Sequence, residues 1–308
     1  MRSAPGHQRG AALLIALLAV ALAVVLAAGL LAQGEQQRAR LRDGLRSEQG
    51  WQLMVGLEAW AADALRAAGQ PVDTLADPWL QAMPPIDVPG ARVSGRLRDL
   101  GGCFDLNALA PGGVTDPDRV EALQRLLVAR ELDPAIAVEA ADGVDGDLEP
   151  LPGGAEDGAY MGRAPGWRTG NRPMAHASEA RRLGRVDAEA WQRLEPYVCA
   201  LPAPAPINLN TAPALLWLVL DPRIDEAMAA RLARGTDSAY PSLEALRQAL
   251  AREGLADVDL GSVGLVTRYY MVESWIESEG VRYVHSSLVE RDRGLDEVRV
   301  LARARGGL

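Results

Sequence analysis

The densest set of metal-ligating side chains in the 308-residue chain lies in ADGVDGDLEPLPGGAEDGAY, residues 141–160. Asp142, Asp145, Asp147, Glu149, Glu156 and Asp157 stand there among Gly143, Gly146, Gly153, Gly154 and Gly158. Calcium takes six to eight oxygen ligands at about 2.3–2.6 Å, and glycine lets a loop fold closely round an ion. Like charges this crowded repel unless a cation offsets them, so the segment reads as a calcium site in preference to a solvated acidic loop. An EF-hand is not expected, the spacing after Asp145 being read as lacking a glutamate at the twelfth position.

Groups suited to catalysis are sparse. His7, His176 and His285 stand apart in the sequence, so local spacing assembles neither a triad nor a zinc site. Glycine-rich phosphate loops and nucleophile elbows are also missing, and the chain reads as a non-enzyme. Cys103 and Cys199 are the only cysteines. In a bacterial periplasm they favour a disulfide; the alternative is two unrelated thiols.

INLNTAP (207–213) opens a stretch similar to a helix-hairpin-helix unit, a module that often holds DNA through backbone amides. The DNA-binding form needs a glycine-rich turn, whereas Leu220-Asp221-Pro222-Arg223 is bulky and acidic. The 32 basic residues, all arginine, against 41 acidic ones give a net charge of −9, which repels a phosphate backbone. A packing module with no nucleic-acid partner is therefore the expectation, and a membrane-tethered DNA-binding or uptake protein is the alternative.

These groups need an anchor and a scaffold. Residues 11–32 form an uncharged apolar run that reaches about 33 Å as a helix, enough for a bilayer core of about 30 Å. Arg2 and Arg9 precede it without an acid, which leaves the N-terminus in the cytoplasm and sends the bulk of the chain across. A cleaved signal peptide would have a shorter apolar core. A plain anchor fits the length. A short basic leader ending in Gly10 also resembles a type IV prepilin signal, in which the peptidase cuts after Gly10 and leaves Ala11 as the mature N-terminus. Pilin-like proteins mostly carry Glu at the fifth mature position, here Ile15; an unpaired carboxylate in lipid is costly, so its lack suits a leading subunit.

Beyond the membrane the helix is expected to continue, with Leu41, Leu45, Leu53, Leu57, Trp60 and Ala64 as its apolar stripe, and to end near Gly69 and Pro71. Residues 71–90 read as a Pro-rich linker. The alternation in 91–100 reads as a strand, and 268–277, 281–290 and 297–303 as a meander sharing its sheet. Helices are expected from Pro117 capped by Thr115 or Asp116, after Asp133-Pro134, from Ser178, after Asp187, from Thr211 and after Ser242. Segments 178–199 and 211–235 form an approximate repeat of two short helices about a turn.

Over nearly its whole length the chain resembles the type II secretion system protein K family, the large minor pseudopilins. The residues that carry the resemblance are QRG/AALLIALL at the leader junction, LRDLGGCFDLNAL (97–109), the acidic loop with Asn171-Arg172-Pro173 after it, and LEPYVCALPAPAPINLNTAP (194–213). Gly143 departs from a bulky aromatic common in the family. The resemblance implies an α+β fold: a pilin-like N-terminal helical spine on a small antiparallel sheet, with a large all-helical insertion containing helix-hairpin-helix-like units. It divides the chain into a leader (1–10), transmembrane helix (11–32), periplasmic spine (33–70), first part of the sheet (71–112), insertion (113–261) and C-terminal strands (262–308). It further implies calcium in the acidic loop, prepilin-peptidase processing with methylation, and an inner-membrane anchor with a periplasmic bulk. The partners implied are the I and J minor pseudopilins, at a pseudopilus tip that supports protein export.

Overall fold

The computed structural model describes residues 8–306, in two units that meet between Leu53 and Met54. Residues 1–7 of the expected leader, with His7, lie outside the described residues, and Gly10 and Ala11 are described as helical backbone alone.

Helix α1 (Gln8–Ala67) makes up the described part of the first unit and runs on into the second. Its large apolar side chains from Leu13 to Leu31 are 60–73% exposed. A helix satisfies all its backbone groups internally, which is what lets an apolar segment face lipid. After Leu31 the sequence turns polar, and Arg38–Glu35 and Arg46–Asp43 pair one turn apart.

In the second unit, α1 is followed by β1 (Met83–Val88), β2 (Ala91–Asp99), β3 (Phe104–Asp105), α2 (Pro117–Ala129), α3 (Ala135–Val144), α4 (Asp157–Tyr160) and α5 (Ala188–Leu194). Then come β4 (Val198–Cys199), β5 (Ile207–Asn208), α6 (Glu226–Leu232), α7 (Leu243–Arg252), β6 (Val263–Gly264), β7 (Tyr269–Ser278), β8 (Val281–Asp292) and β9 (Glu297–Arg305). The main sheet has the order β1-β2-β7-β8-β9, antiparallel throughout. The strand expected over 91–100 and the three-strand meander are all in it.

Onto one face of this sheet α1 packs Met54, Leu57, Glu58, Ala61 and Leu65, recurring every three or four residues. This row is offset from the expected one: Leu53, Trp60 and Ala64 flank it and are half-buried. Ala61 and Leu65 meet Leu97, Tyr270, Val272 and Val289, with Trp79 edge-on to Tyr270 at 5.0 Å. Each fully buried side chain of this size contributes about 1.5–3 kcal/mol. Gly95 belongs here because a Cβ would lie 3.1 Å from the Glu273 carbonyl and 3.5 Å from Leu57.

Two buried carboxylates lock the same face. Asp73 is bound by Arg291 and Arg293 and accepts the Thr267 N–H at 2.7 Å. Glu58 takes both arms of Arg303 at 2.8 Å and the Ser287 hydroxyl at 2.5 Å.

The segment read as a linker (71–90) contains β1. Pro84 and Pro85 sit where its pairing with β2 shifts register, and an edge strand tolerates proline because one side of its backbone goes unpaired. At the opposite border, Leu288 pairs with Ala302 and Val289 with Val300, leaving Leu301 as an extra residue on β9.

Between β2 and β7 lies the insertion, and three expectations about it are corrected. It is not all-helical: β3 pairs with β4 and β5 with β6, both in parallel. Two-residue strands are too short to leave an alternating pattern, which is why the sequence hid them. Thr211 does not cap a helix; it is buried, and its hydroxyl donates to the Asn208 carbonyl at 3.3 Å. A 3-10 turn, Ala214–Val219, follows. Asp116 caps α2, Asp187 caps α5, Asp225 caps α6 and Ser242 caps α7. The segment from Ser178 is likewise a 3-10 turn, Ala177–Arg182, capped by His176.

The insertion core runs from Phe104, Leu106 and Leu109 through Leu123, Leu126, Ile136, Leu194, Trp217 and Leu246 to Val263 and Leu265. It thus draws in residues on both sides of the 113–261 span. The Cys103 and Cys199 sulfurs are 2.04 Å apart, a disulfide spanning 96 residues of sequence. With Leu100, Leu201, Tyr269, Met271 and Leu288 it forms the apolar contact between the insertion and the second face of the sheet.

Candidate metal site

Helix α3 ends at Val144, and Asp145 turns into an extended conformation that begins a loop closed by α4. Three carboxylates converge in this loop: Asp145, Asp147 and Glu156 each place an oxygen within 4.8 Å of the others. Asp145 and Glu156 are buried and Asp147 is exposed. Asp145 accepts from the Thr115 hydroxyl at 3.2 Å through Oδ2, while its Oδ1 is buried with no hydrogen-bond partner. Glu156 accepts from the Thr169 hydroxyl at 2.6 Å and lies 3.5 Å from the Asn171 amide. Asn171, held at φ 42°, donates to the Asp147 carbonyl, and its own Oδ1 is a second buried oxygen with no donor.

Burial pushes the Asp145 carboxyl above its usual range, and the charge of Asp147 adds to this. Glu156 rises for the same first reason, with Asp145 and Asp147 contributing. Buried oxygens without donors are costly, and a hard cation supplies both the missing partner and the missing charge. The donor set, entirely oxygen, fits calcium.

The other three acids of the segment point elsewhere, a correction to the six-carboxylate reading. Asp142 is fully buried and accepts from Leu151 N at 3.2 Å and Ala155 N at 2.7 Å, tying the far limb of the loop to α3; burial raises its carboxyl to about 6. That contact explains Gly154, where a Cβ would fall 1.9 Å from Asp142 Oδ2. Glu149 is exposed, and only its backbone N–H reaches the site, donating to Asp147 at 2.8 Å. Asp157 borders the site, sharing the Thr169 hydroxyl, at 3.0 Å, with Glu156, but its carboxylate is engaged by Thr169 N at 2.9 Å and Arg168 at 3.7 Å. Crowding in sequence counts charges but does not say which way they point.

The EF-hand expectation is also corrected. Counted from Asp145, the acids Asp145, Asp147, Glu149 and Glu156 occupy positions one, three, five and twelve of a twelve-residue loop. The loop departs from the pattern at position six, where Pro150 replaces the glycine. That count was the signal available in the sequence for choosing among the acids. Nothing comparable marked Thr115 and Thr169, which come from other segments; Asn171 stood out only as part of the block that carries the family resemblance.

Under the loop, buried Glu139 accepts from the Tyr160 hydroxyl, Gly184 N and, at 3.1 Å, Arg185 N. Tyr160 stacks on Trp167 at 5.5 Å, and Arg163 covers both rings. This cluster fixes the segment that carries Thr169.

His176 is a cap on its own turn and His285 is buried in β8. At the turn weighed for DNA, Arg223 is engaged by Asp221 at 2.8 Å and Asp257 at 3.0 Å, so its charge is already met.

A family model described as type II secretion system (T2SS), protein K matches residues 102–203, the stretch that holds this loop. The type II secretion system protein K of Pseudomonas aeruginosa is 32% identical over 98% of this chain and 94% of its own. That of Klebsiella pneumoniae is 36% identical over 81% of this chain and 85% of its own. Among solved structures, a chain of the GspK-GspI-GspJ complex of the enterotoxigenic Escherichia coli type 2 secretion system superimposes with a TM-score of 0.72 at 26% identity. That match covers 87% of this chain and all of the other.

Proposed function

Because the chain belongs to the type II secretion system protein K family, and so is a minor pseudopilin of that machine, we propose that it sits at the pseudopilus tip and supports assembly and export from there. The observation that carries this reading is the likeness to a chain solved in complex with GspI and GspJ. By extension, the partners of this chain are I-type and J-type minor pseudopilins. The insertion supports the placement: it adds its own core between β2 and β7, bulk that hinders a subunit stacked above. Ile15 supports it too, since a subunit with none ahead of it has no use for a carboxylate in lipid.

The exposed apolar stretch of α1 serves as a single-pass inner-membrane anchor with the bulk of the chain in the periplasm. Prepilin peptidase cuts between Gly10 and Ala11, and the new terminus is methylated. Asp145, Asp147 and Glu156, with Asn171, hold calcium; the ion supplies charge compensation to the loop and no reaction. The family's part in the machine is structural.

The test of the tip is crosslinking in cells through cysteines placed in the insertion. Crosslinks to I-type or J-type subunits alone are expected, and self-crosslinks repeated along a filament would overturn the placement. Mass spectrometry of the membrane-bound chain is expected to find Ala11 at its start.

A further inference from the structure

The sheet face turned away from α1 carries a surface that the tip reading leaves unused. Pairing of β2 with β7 sets Arg92 opposite Glu277, Ser94 opposite Trp275, Arg96 opposite Glu273 and Arg98 opposite Met271. Pairing of β7 with β8 adds Arg282 beside Glu277, Val284 beside Trp275 and Leu288 beside Met271. Directly opposed residues point to the same side of a sheet, so these form one face. The guanidinium groups of Arg96 and Arg282 lie 5.5 and 5.8 Å from the Trp275 ring centre.

Arg92 is tied to Asp87 and Arg96 to Glu273. Arg98 and Arg282 have no carboxylate partner among the described residues. Past Arg98 the face ends in a cavity of about 180 Å³ with apolar walls from Met271, Leu288, Ala200, Ala302 and Ala304. Arg303 also borders it but is held by Glu58. In a chain of net charge −9, this face sets four arginines against Glu273 and Glu277.

We propose that this face docks an extended acidic segment of a protein partner, with carboxylates on Arg98 and Arg282 and one bulky apolar side chain in the cavity walled by Met271 and Ala304. Tryptophan and arginine are the residues that carry most binding energy at interfaces, and opposite charge steers and orients encounter. A basic surface with an aromatic ring could also hold nucleic acid, but the cavity, although His176 and Ser286 also border it, is walled mainly by alanine, leucine and methionine, which suit an apolar side chain. The charge of the whole chain also opposes nucleic acid.

The probe is a short fluorescent glutamate-rich peptide with one central phenylalanine, titrated by anisotropy into the detergent-solubilised full chain. Binding is expected to weaken about tenfold or more in Arg98→Glu and in Arg282→Glu, and to weaken as salt is raised. Replacing the peptide's phenylalanine by serine, or filling the cavity with Ala302→Trp, is expected to have a comparable effect. Near-UV circular dichroism identifies any variant that has lost its fold, and the two surface arginine variants keep the test valid if Ala302→Trp does. No binding by the wild type, equal binding by folded Arg98→Glu and Arg282→Glu, or preference for duplex DNA over the peptide would each overturn the proposal.

Discussion

Asp73 and Glu58 on the sheet and Asp105 and Asp142 in the insertion are buried acids held in opposite ways. On the α1 face of the sheet, Asp73 and Glu58 meet arginines: Arg291 and Arg293 for the first, Arg303 for the second. In the insertion, Asp105 and Asp142 are met by backbone N–H groups, of Asn107 and Leu201 for one and of Leu151 and Ala155 for the other. Backbone amides orient a carboxylate and satisfy its lone pairs but bring no full charge, so burial wins and both carboxyls rise to about 6. Asp73 and Glu58 thus have their charge met within the chain. The insertion carries uncompensated negative charge, most of all where Asp145, Asp147 and Glu156 converge.

The largest effect expected from this contrast is on the sheet. Arg291→Ala removes the more deeply buried partner of Asp73 and should cost about 3–5 kcal/mol, the penalty of a half-broken buried pair; denaturant unfolding measures it. A loss under about 1 kcal/mol would mean that Arg293 suffices and the pairing is redundant.

Next comes the covalent link between the two regions. Replacing both Cys103 and Cys199 by serine frees a loop of 96 residues, expected to cost about 2–5 kcal/mol. The insertion should lose more than the sheet, read as earlier hydrogen exchange in α2 and α3 than in β7 and β8.

Metal removal sharpens the comparison directly. With calcium at a hundredfold excess over its Kd, binding to the folded state alone adds about 2.7 kcal/mol. Chelator should therefore lower the melting temperature of the wild type, and Asp145→Asn should abolish the difference. A wild-type melt indifferent to chelator would leave the convergent acids without their cation and sink the calcium reading.

The smallest effect is a pH dependence. The Asp105 carboxyl sits near 6 in the fold against 3.8 unperturbed, so the folded state keeps its proton longer than the unfolded state does. Its contribution to stability is greatest below about pH 4 and is lost as pH rises through about 6. Asp105→Asn keeps an acceptor for Asn107 N and Leu201 N while removing the charge. Its stability should vary less than the wild type's across that window, and an unchanged profile would place the titration elsewhere.

How far the sequence could be read follows the same division. The sheet announced itself because alternation in β2, β7, β8 and β9 is a repeated signal over nine to twelve residues. β1 escaped because Pro84-Pro85 resembles a linker until the strand beside it is known. In the insertion, caps such as Asp187 and Ser242 were legible, being local. Thr211 misled because its hydroxyl serves a turn at Asn208 and not a helix. At the acidic loop the composition was plain, whereas the choice of Asp145, Asp147 and Glu156 over Asp142, Glu149 and Asp157 depends on direction. Thr115 and Asn171 come to the site across 30 and 24 residues of sequence, by contacts that no spacing rule encodes.

The two borders of the sheet carry a further consequence. A strand with a free edge is a template: its open amides and carbonyls can recruit a strand from any neighbour, and stacking of that kind has no natural end. Here one border has Pro84 and Pro85, which lack the N–H that recruitment needs, and the other has the extra residue Leu301 between valine and alanine pairs, with Arg299, Arg303 and Arg305 along the same strand. The fold therefore blocks growth by strand addition at both ends of its sheet. Subunits can be crowded together in a membrane without their sheets fusing, and any order in such a crowd has to come from contacts that are chosen, saturable and reversible.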